Sequence, residues 1–193
     1  MRFFIWVKRF ITIPLPEIKT NKMFGRSKIV LLLLAFAGFL SCSKEKDYPV
    51  IPELQYEGFE KEANNSGYLI FSFTDGDGDI GLGSADTFPP YNPGSQYYYN
   101  IYLPVLKMEH DSVKPLLILN SQTQQYDTVY LSYRIKPIDA VNSNGSLKGK
   151  MIVNIDLSII KPFLPNDSIA FDAYIFDRNL HKSNIIRTPV IKL

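Results

Sequence analysis

From residue 67 onward, apolar and polar side chains alternate in short runs that end in turn residues. The runs are GYLIFSFT (67–74), YYYNIYLPVLKM (97–108), PLLIL (115–119), TVYLSYRI (128–135), KGKMIVNIDL (148–157), SIAFDAYIF (168–176) and NIIRTPVIKL (184–193). Clusters such as NPGSQ, NSQTQQYD, NSNG and LPND separate them. A period of two sends successive side chains to opposite faces of a strand, so each run has one face to bury. No segment keeps helical spacing over three turns, and Pro104 marks an edge strand or a bulge. The pattern predicts an all-β sandwich or barrel. A single immunoglobulin-like β-sandwich over residues 53–193 is its economical form, with 82–96 as a long loop elaborating it. Cys42 is the one cysteine of the chain, so no intrachain disulfide supports the fold and its core must do so.

The N-terminal part has a different character. Of the chain's 21 basic and 19 acidic residues, positions 1–41 hold seven and one, which leaves the remainder at a net −4. A mildly acidic domain lacks the basic face that binding nucleic acid requires. Arg26 and Lys28 precede the apolar run IVLLLLAFAGFL (29–40), too short to span a bilayer and of the size of a signal-peptide core. Phe39-Leu40-Ser41-Cys42 then resembles a lipobox, with Phe39 and Leu40 departing from its commonest residues. Residues 1–41 are therefore read as leader and lipoprotein signal peptide, with translation starting at Met23. Cys42 becomes the lipidated N-terminus, and 42–52 a polar tether. Several acyl chains on one cysteine anchor more firmly than one, which makes the membrane a partner of the mature protein.

The segment Asp75-Gly76-Asp77-Gly78-Asp79-Ile80-Gly81 places three carboxylates at alternate positions between glycines. Calcium takes six to eight oxygens, and it would relieve the repulsion that such spacing creates. The candidate ligands are Asp75, Asp77 and Asp79, the main-chain oxygen of Gly81, Asp86 at the twelfth position of the loop, and Asp177 as a remote ligand. Ile80 stands where an EF-hand requires glycine, and a strand leads in, so the loop is not an EF-hand. The alternative is a solvated Asp-Gly turn.

FSFTDGDGDIGL, DTFPPYN and FDAYIFDRNLHKSNIIRTPVI resemble a large family of Bacteroidota lipoproteins, and the resemblance covers most of residues 50–193. It implies an immunoglobulin-like fold and an outer-membrane or cell-surface address, and it implies no activity. Ser43-Lys44-Glu45-Lys46-Asp47 is similar to the signal that sends such lipoproteins to the outer face. Asp111-Ser112-Val113, Asp127-Thr128-Val129 and Asp167-Ser168-Ile169 are similar to the O-glycosylation acceptor of these bacteria, with Ser112, Thr128 and Ser168 as the hydroxyls. A turn Asp leading into a strand produces the same tripeptide. Asn64, Asn144 and Asn166 lie in Asn-x-Ser sequons, which carry little weight in a bacterium.

Catalytic residues are scarce. His110 and His181 are the two histidines, too few for a zinc cluster, and each is expected at the surface. No G-x-S-x-G elbow occurs, so a hydrolase is the remote alternative and no enzyme is expected. Tyr97, Tyr98, Tyr99 and Tyr102 are placed on one strand, where alternation sends Tyr97 and Tyr99 to one face. One pair could stack on a sugar or on a partner chain. The sole tryptophan, Trp6, falls in the leader, which favours a structural or protein-interaction accessory of the cell envelope over a surface glycan-binding module.

Overall fold

A computed structural model describes residues 47–63, 65–138 and 145–193. Cys42, the leader, the tether up to Lys46, Asn64 and Asn144 lie outside the described residues. The fold is all-β. Its strands are β1 (Glu53–Lys61), β2 (Ser66–Asp75), β3 (Ile101–Glu109), β4 (Ser112–Pro115), β5 (Leu117–Leu119), β6 (Tyr126–Thr128), β7 (Tyr130–Tyr133), β8 (Leu147–Asp156), β9 (Ser168–Ile175), β10 (Ile186–Arg187) and β11 (Ile191–Lys192). A single 3-10 turn, Lys161–Phe163, is the one helical element among the described residues.

Two antiparallel sheets form. The first runs β1-β2-β8, and the second runs β10-β9-β3-β4. In the second, β7 continues the β4 edge of β3 and β11 continues the β10 edge of β9. β5 and β6 make a small separate hairpin. Alternation builds the interior. Leu69, Phe71 and Phe73 of β2 and Met151, Val153 and Ile155 of β8 share one buried cluster with Ile101, Leu103 and Val105 of β3 and Ile169, Phe171 and Ile175 of β9. Burying large apolar side chains from both sheets is the main stabilising term, at roughly 1.5–3 kcal/mol each. The result is a β-sandwich.

Besides Pro104, which lies in the interior strand β3 and not at an edge or a bulge, three details differ from the sequence expectation. β1 was not anticipated, because a bulge between Tyr56 and Gly58 shifts the register and breaks the alternation of ELQYEGFEK. The run PLLIL splits at Leu116, which turns inward and is 3% exposed, while Leu117, Ile118 and Leu119 stay exposed. The third concerns the tyrosines. β3 begins at Ile101, so Tyr97, Tyr98 and Tyr99 lie in the preceding turns and the two-face argument does not apply to them.

Residues 76–100 cross between the sheets without forming a strand. Ile80 and Leu82 are buried and pin this loop to the core. Arg134, in the segment after β7, holds its outer part. One guanidinium nitrogen donates to the carbonyl of Tyr98 at 2.8 Å, and another to those of Gly83 and Asp86 at 3.0 Å each.

Candidate metal centre

The inward parity of β2 runs Gly67, Leu69, Phe71, Phe73 and then Asp75, so the strand's own period buries a carboxylate. β9 does the same in the facing sheet. Phe171, Ala173 and Ile175 point inward, and Asp177 continues the series just past the strand end. Asp75 is 0% and Asp177 2% exposed. The loop after β2 adds Asp77 and Asp79. One carboxylate oxygen from each of Asp75, Asp77, Asp79 and Asp177 lies within 4.8 Å of the others, so this group could hold a metal ion.

Hydrogen bonds set the orientation of each carboxylate. The Asp79 amide donates to Oδ2 of Asp75 at 2.9 Å, and the Asn179 amide to Oδ2 of Asp79 at 3.1 Å. The Asn179 side chain donates to Oδ2 of Asp77 at 3.1 Å. His181 holds Asp177 through its amide and through Nδ1, both at 2.8 Å. Oδ1 of Asp75 and Oδ1 of Asp79 are left buried with no hydrogen-bond partner. Buried carboxylate oxygens without a donor are costly, and a cation is the group that would satisfy them. An all-oxygen, all-carboxylate set suits a hard cation, with His181 supporting Asp177 from behind.

The electrostatics follow. Burial, then the charges of Asp77 and Asp79, push the Asp75 carboxyl up to about 7. Burial and the charges of Asp177 and Asp77 also raise Asp79, against donation from the Arg178 and Asn179 amides. His181 is raised by its hydrogen bond to Asp177 and by that residue's charge.

The glycines allow the loop to pack. Gly78 has φ +68, and a Cβ there would sit 1.8 Å from the Gly145 carbonyl oxygen. At Gly76 a Cβ would meet the Tyr48 carbonyl at 2.3 Å, and the Gly76 amide donates to Pro49 at 2.8 Å. The C-terminal end of the tether is thereby clasped to the acidic loop.

Two of the anticipated ligands lie elsewhere. The Asp86 carboxylate pairs with Arg178 through both oxygens, at 2.7 and 3.1 Å, and that pairing lowers its pKa. The Gly81 carbonyl also faces Arg178, whose Nη1 is 3.4 Å away. Twelve-residue spacing brings ligands together only in a loop that curls around its ion. Here Ile80 is drawn into the core and the chain leaves the cluster. Arg178, Asn179 and His181 were not anticipated as parts of the site, although they directly follow Asp177 in one of the motifs quoted above.

The tyrosines mostly spend their faces on protein groups. Tyr102 stacks on Tyr174 at 5.4 Å between ring centroids, and Tyr97 meets Phe176 edge-on at 5.2 Å. Arg134 lies over Tyr98 at 4.9 Å. Tyr99, 40% exposed, is the most open of the four. Among the acceptor hydroxyls, Ser112 is exposed, Thr128 half-buried and Ser168 buried, its hydroxyl donating to the Asn166 carbonyl at 3.0 Å. Asp111 and Asp167 have φ of 58 and 47, the left-handed turn conformation that asparagine and aspartate tolerate. His110 sits exposed in the β3–β4 turn and belongs to no metal-ligating cluster among the described residues. Comparison of the chain with protein-family models, with curated proteins and with solved structures found no match.

Proposed function

We propose that this chain is an exported lipoprotein, held on the outer membrane by lipid on Cys42, whose sandwich carries a calcium site. In this reading the domain is a structural or protein-interaction accessory of the cell envelope and performs no reaction. One observation carries the calcium assignment: two buried oxygens, on Asp75 and Asp79, lack partners inside a four-carboxylate cluster. Calcium fits such a set better than magnesium, because it accepts more oxygens and a less regular geometry. Main-chain oxygens and water would complete its shell.

The strand order supports the immunoglobulin-like form of the sandwich. β1-β2-β8 corresponds to strands A-B-E, and β10-β9-β3 to G-F-C, with no strand in the D position among the described residues. A protein partner is favoured over a glycan because all four candidate tyrosine rings have ring or cation partners: Tyr102 with Tyr174, Tyr97 with Phe176, Tyr98 with Arg134, and Tyr99 edge-on with Tyr98. Ser112 is the hydroxyl best exposed for O-glycosylation.

Thermal unfolding in calcium and in excess EDTA tests the site. At about 100-fold saturation a ligand specific for the folded state adds roughly 2.7 kcal/mol, a shift of about 5–10 °C for a domain of this size. Asp77→Asn should abolish the shift. An identical midpoint in calcium and EDTA would remove calcium from the reading. The anchor is tested separately, since Cys42→Ser should move the protein from the membrane fraction to the soluble one.

A further inference from the structure

The free edge of β8 differs from every other sheet edge among the described residues. β4 and β7 have four residues each, and β10 and β11 two each. β1 is long but bulged, and the Asn184 side chain caps it by accepting from the Leu54 amide at 2.7 Å and donating to its carbonyl at 2.9 Å. Short strands, bulges and caps are the usual protections against edge pairing. β8 is neither short, bulged nor capped, and the exposed Lys148 and Lys150 are the edge-blocking charges it carries. It pairs with β2 over ten residues without a register shift, contains no proline, and among the described residues pairs with no strand on its other side, where residues 133–136 and 151–154 line a shared groove.

Hydrogen-bond parity shows which groups face that open side. The Leu157 amide donates to the Asn65 carbonyl at 2.8 Å, so the odd-numbered residues of β8 bond to β2. The even-numbered residues, 148 to 156, turn their amides and carbonyls outward. Their side chains are also the exposed ones, and Ile152 is 64% exposed.

We propose that β8 pairs antiparallel with β8 of a second copy of this chain, about a two-fold axis at Ile152. In that register Ile152 meets its own copy, Lys150 meets Asn154, and Lys148 meets Asp156 across the axis. Every facing pair is even-numbered, so the outward amides and carbonyls match, giving about ten main-chain hydrogen bonds. The exposed isoleucine is covered, and the two outer pairs join opposite charges. The two three-stranded sheets become one continuous six-stranded sheet. A two-fold interface of this kind is self-complementary and closes at the dimer.

The test uses the full chain in mild detergent. Facing Cα atoms lie about 5.5 Å apart in such a pair, within disulfide reach. Under mild oxidation Ile152→Cys should give a reducible dimer well above the wild-type background. Ile159→Cys, at an exposed residue outside the strand, should not. Adding Lys148→Asp to Ile152→Cys sets like charges opposite each other at two symmetric positions and should weaken dimerisation about tenfold. Adding Asp156→Lys as well should restore it. Equal yields from Ile152→Cys and Ile159→Cys, no rescue by the charge swap, or capture of a different polypeptide alone would each overturn the proposal.

Discussion

Asp75 and Asp177 occupy matching positions in the two facing sheets: each is the inward residue that follows the last core side chain of its strand. The pattern Phe71-Ser72-Phe73-Thr74-Asp75 recurs in kind as Ala173-Tyr174-Ile175-Phe176-Asp177. Two central strands that end on inward acids deliver both carboxylates to one end of the sandwich, where Asp77 and Asp79 join them. Without a cation this arrangement opposes folding, since like charges share a poorly hydrated space. Asp75→Asn keeps the shape and the acceptor for the Asp79 amide while removing charge. In EDTA it should raise stability by about 1–3 kcal/mol, and it should abolish the calcium-dependent shift. Urea unfolding with and without calcium reads both effects.

The metal-free protein should lose stability as pH rises. The Asp75 carboxyl titrates near 7 in the folded state because of burial and its acidic neighbours, against about 3.9 unfolded. The folded state therefore binds more protons between those values. The stabilisation is fully present below pH 4 and is lost as pH climbs through about 7. Calcium competes with the same proton, so the midpoint difference between calcium and EDTA should widen from pH 5 to pH 8. A calcium effect that shrinks over that range would contradict the assignment.

The centre of the fold and the heart of the site were legible for one reason, the period of two. It exposed β2, β8 and β9, while Asp177, a hundred residues from the acidic loop, was reached only as the acid that follows the β9 run. Where that period fails, so did the reading. The bulge near Glu57 hid β1. Tyr97 to Tyr99 look like strand residues but turn, because the chain must leave the acidic loop and re-enter the sheet at Ile101. Asp86 fitted a linear spacing, yet Arg178 reaches it across the fold, and no local pattern encodes that pairing.

Gly78 should tolerate no side chain. Its φ of +68 is strained for alanine, and the added Cβ would lie 1.8 Å from the Gly145 carbonyl oxygen, a backbone atom. Gly78→Ala should cost about 2 kcal/mol or more, and it should weaken calcium binding by displacing Asp77 and Asp79 from Asp75. Gly94→Ala provides the contrast. Its φ is also positive, at +85, but nothing lies within 4 Å of a Cβ there. Calorimetric titration with calcium should therefore distinguish the two variants, with Gly94→Ala retaining wild-type affinity.

Asn184 joins the sheets where strand pairing does not. Its amide gives Leu54 both an acceptor and a donor, as a neighbouring strand would, and Leu54 itself is 1% exposed. Asn184→Ala leaves a backbone amide and carbonyl unpaired in a part-buried place, at a cost of about 1–3 kcal/mol. The loss should be local before it is global. Hydrogen exchange at the Leu54 amide should quicken strongly, while the amides of Phe71 and Phe171, in the central strands of the two sheets, should change only as far as global stability falls. Asn184→Asp preserves the acceptor for the Leu54 amide but loses the donor to its carbonyl, so it should fall between alanine and wild type. If alanine and aspartate behave alike, the amide is not acting as a substitute strand.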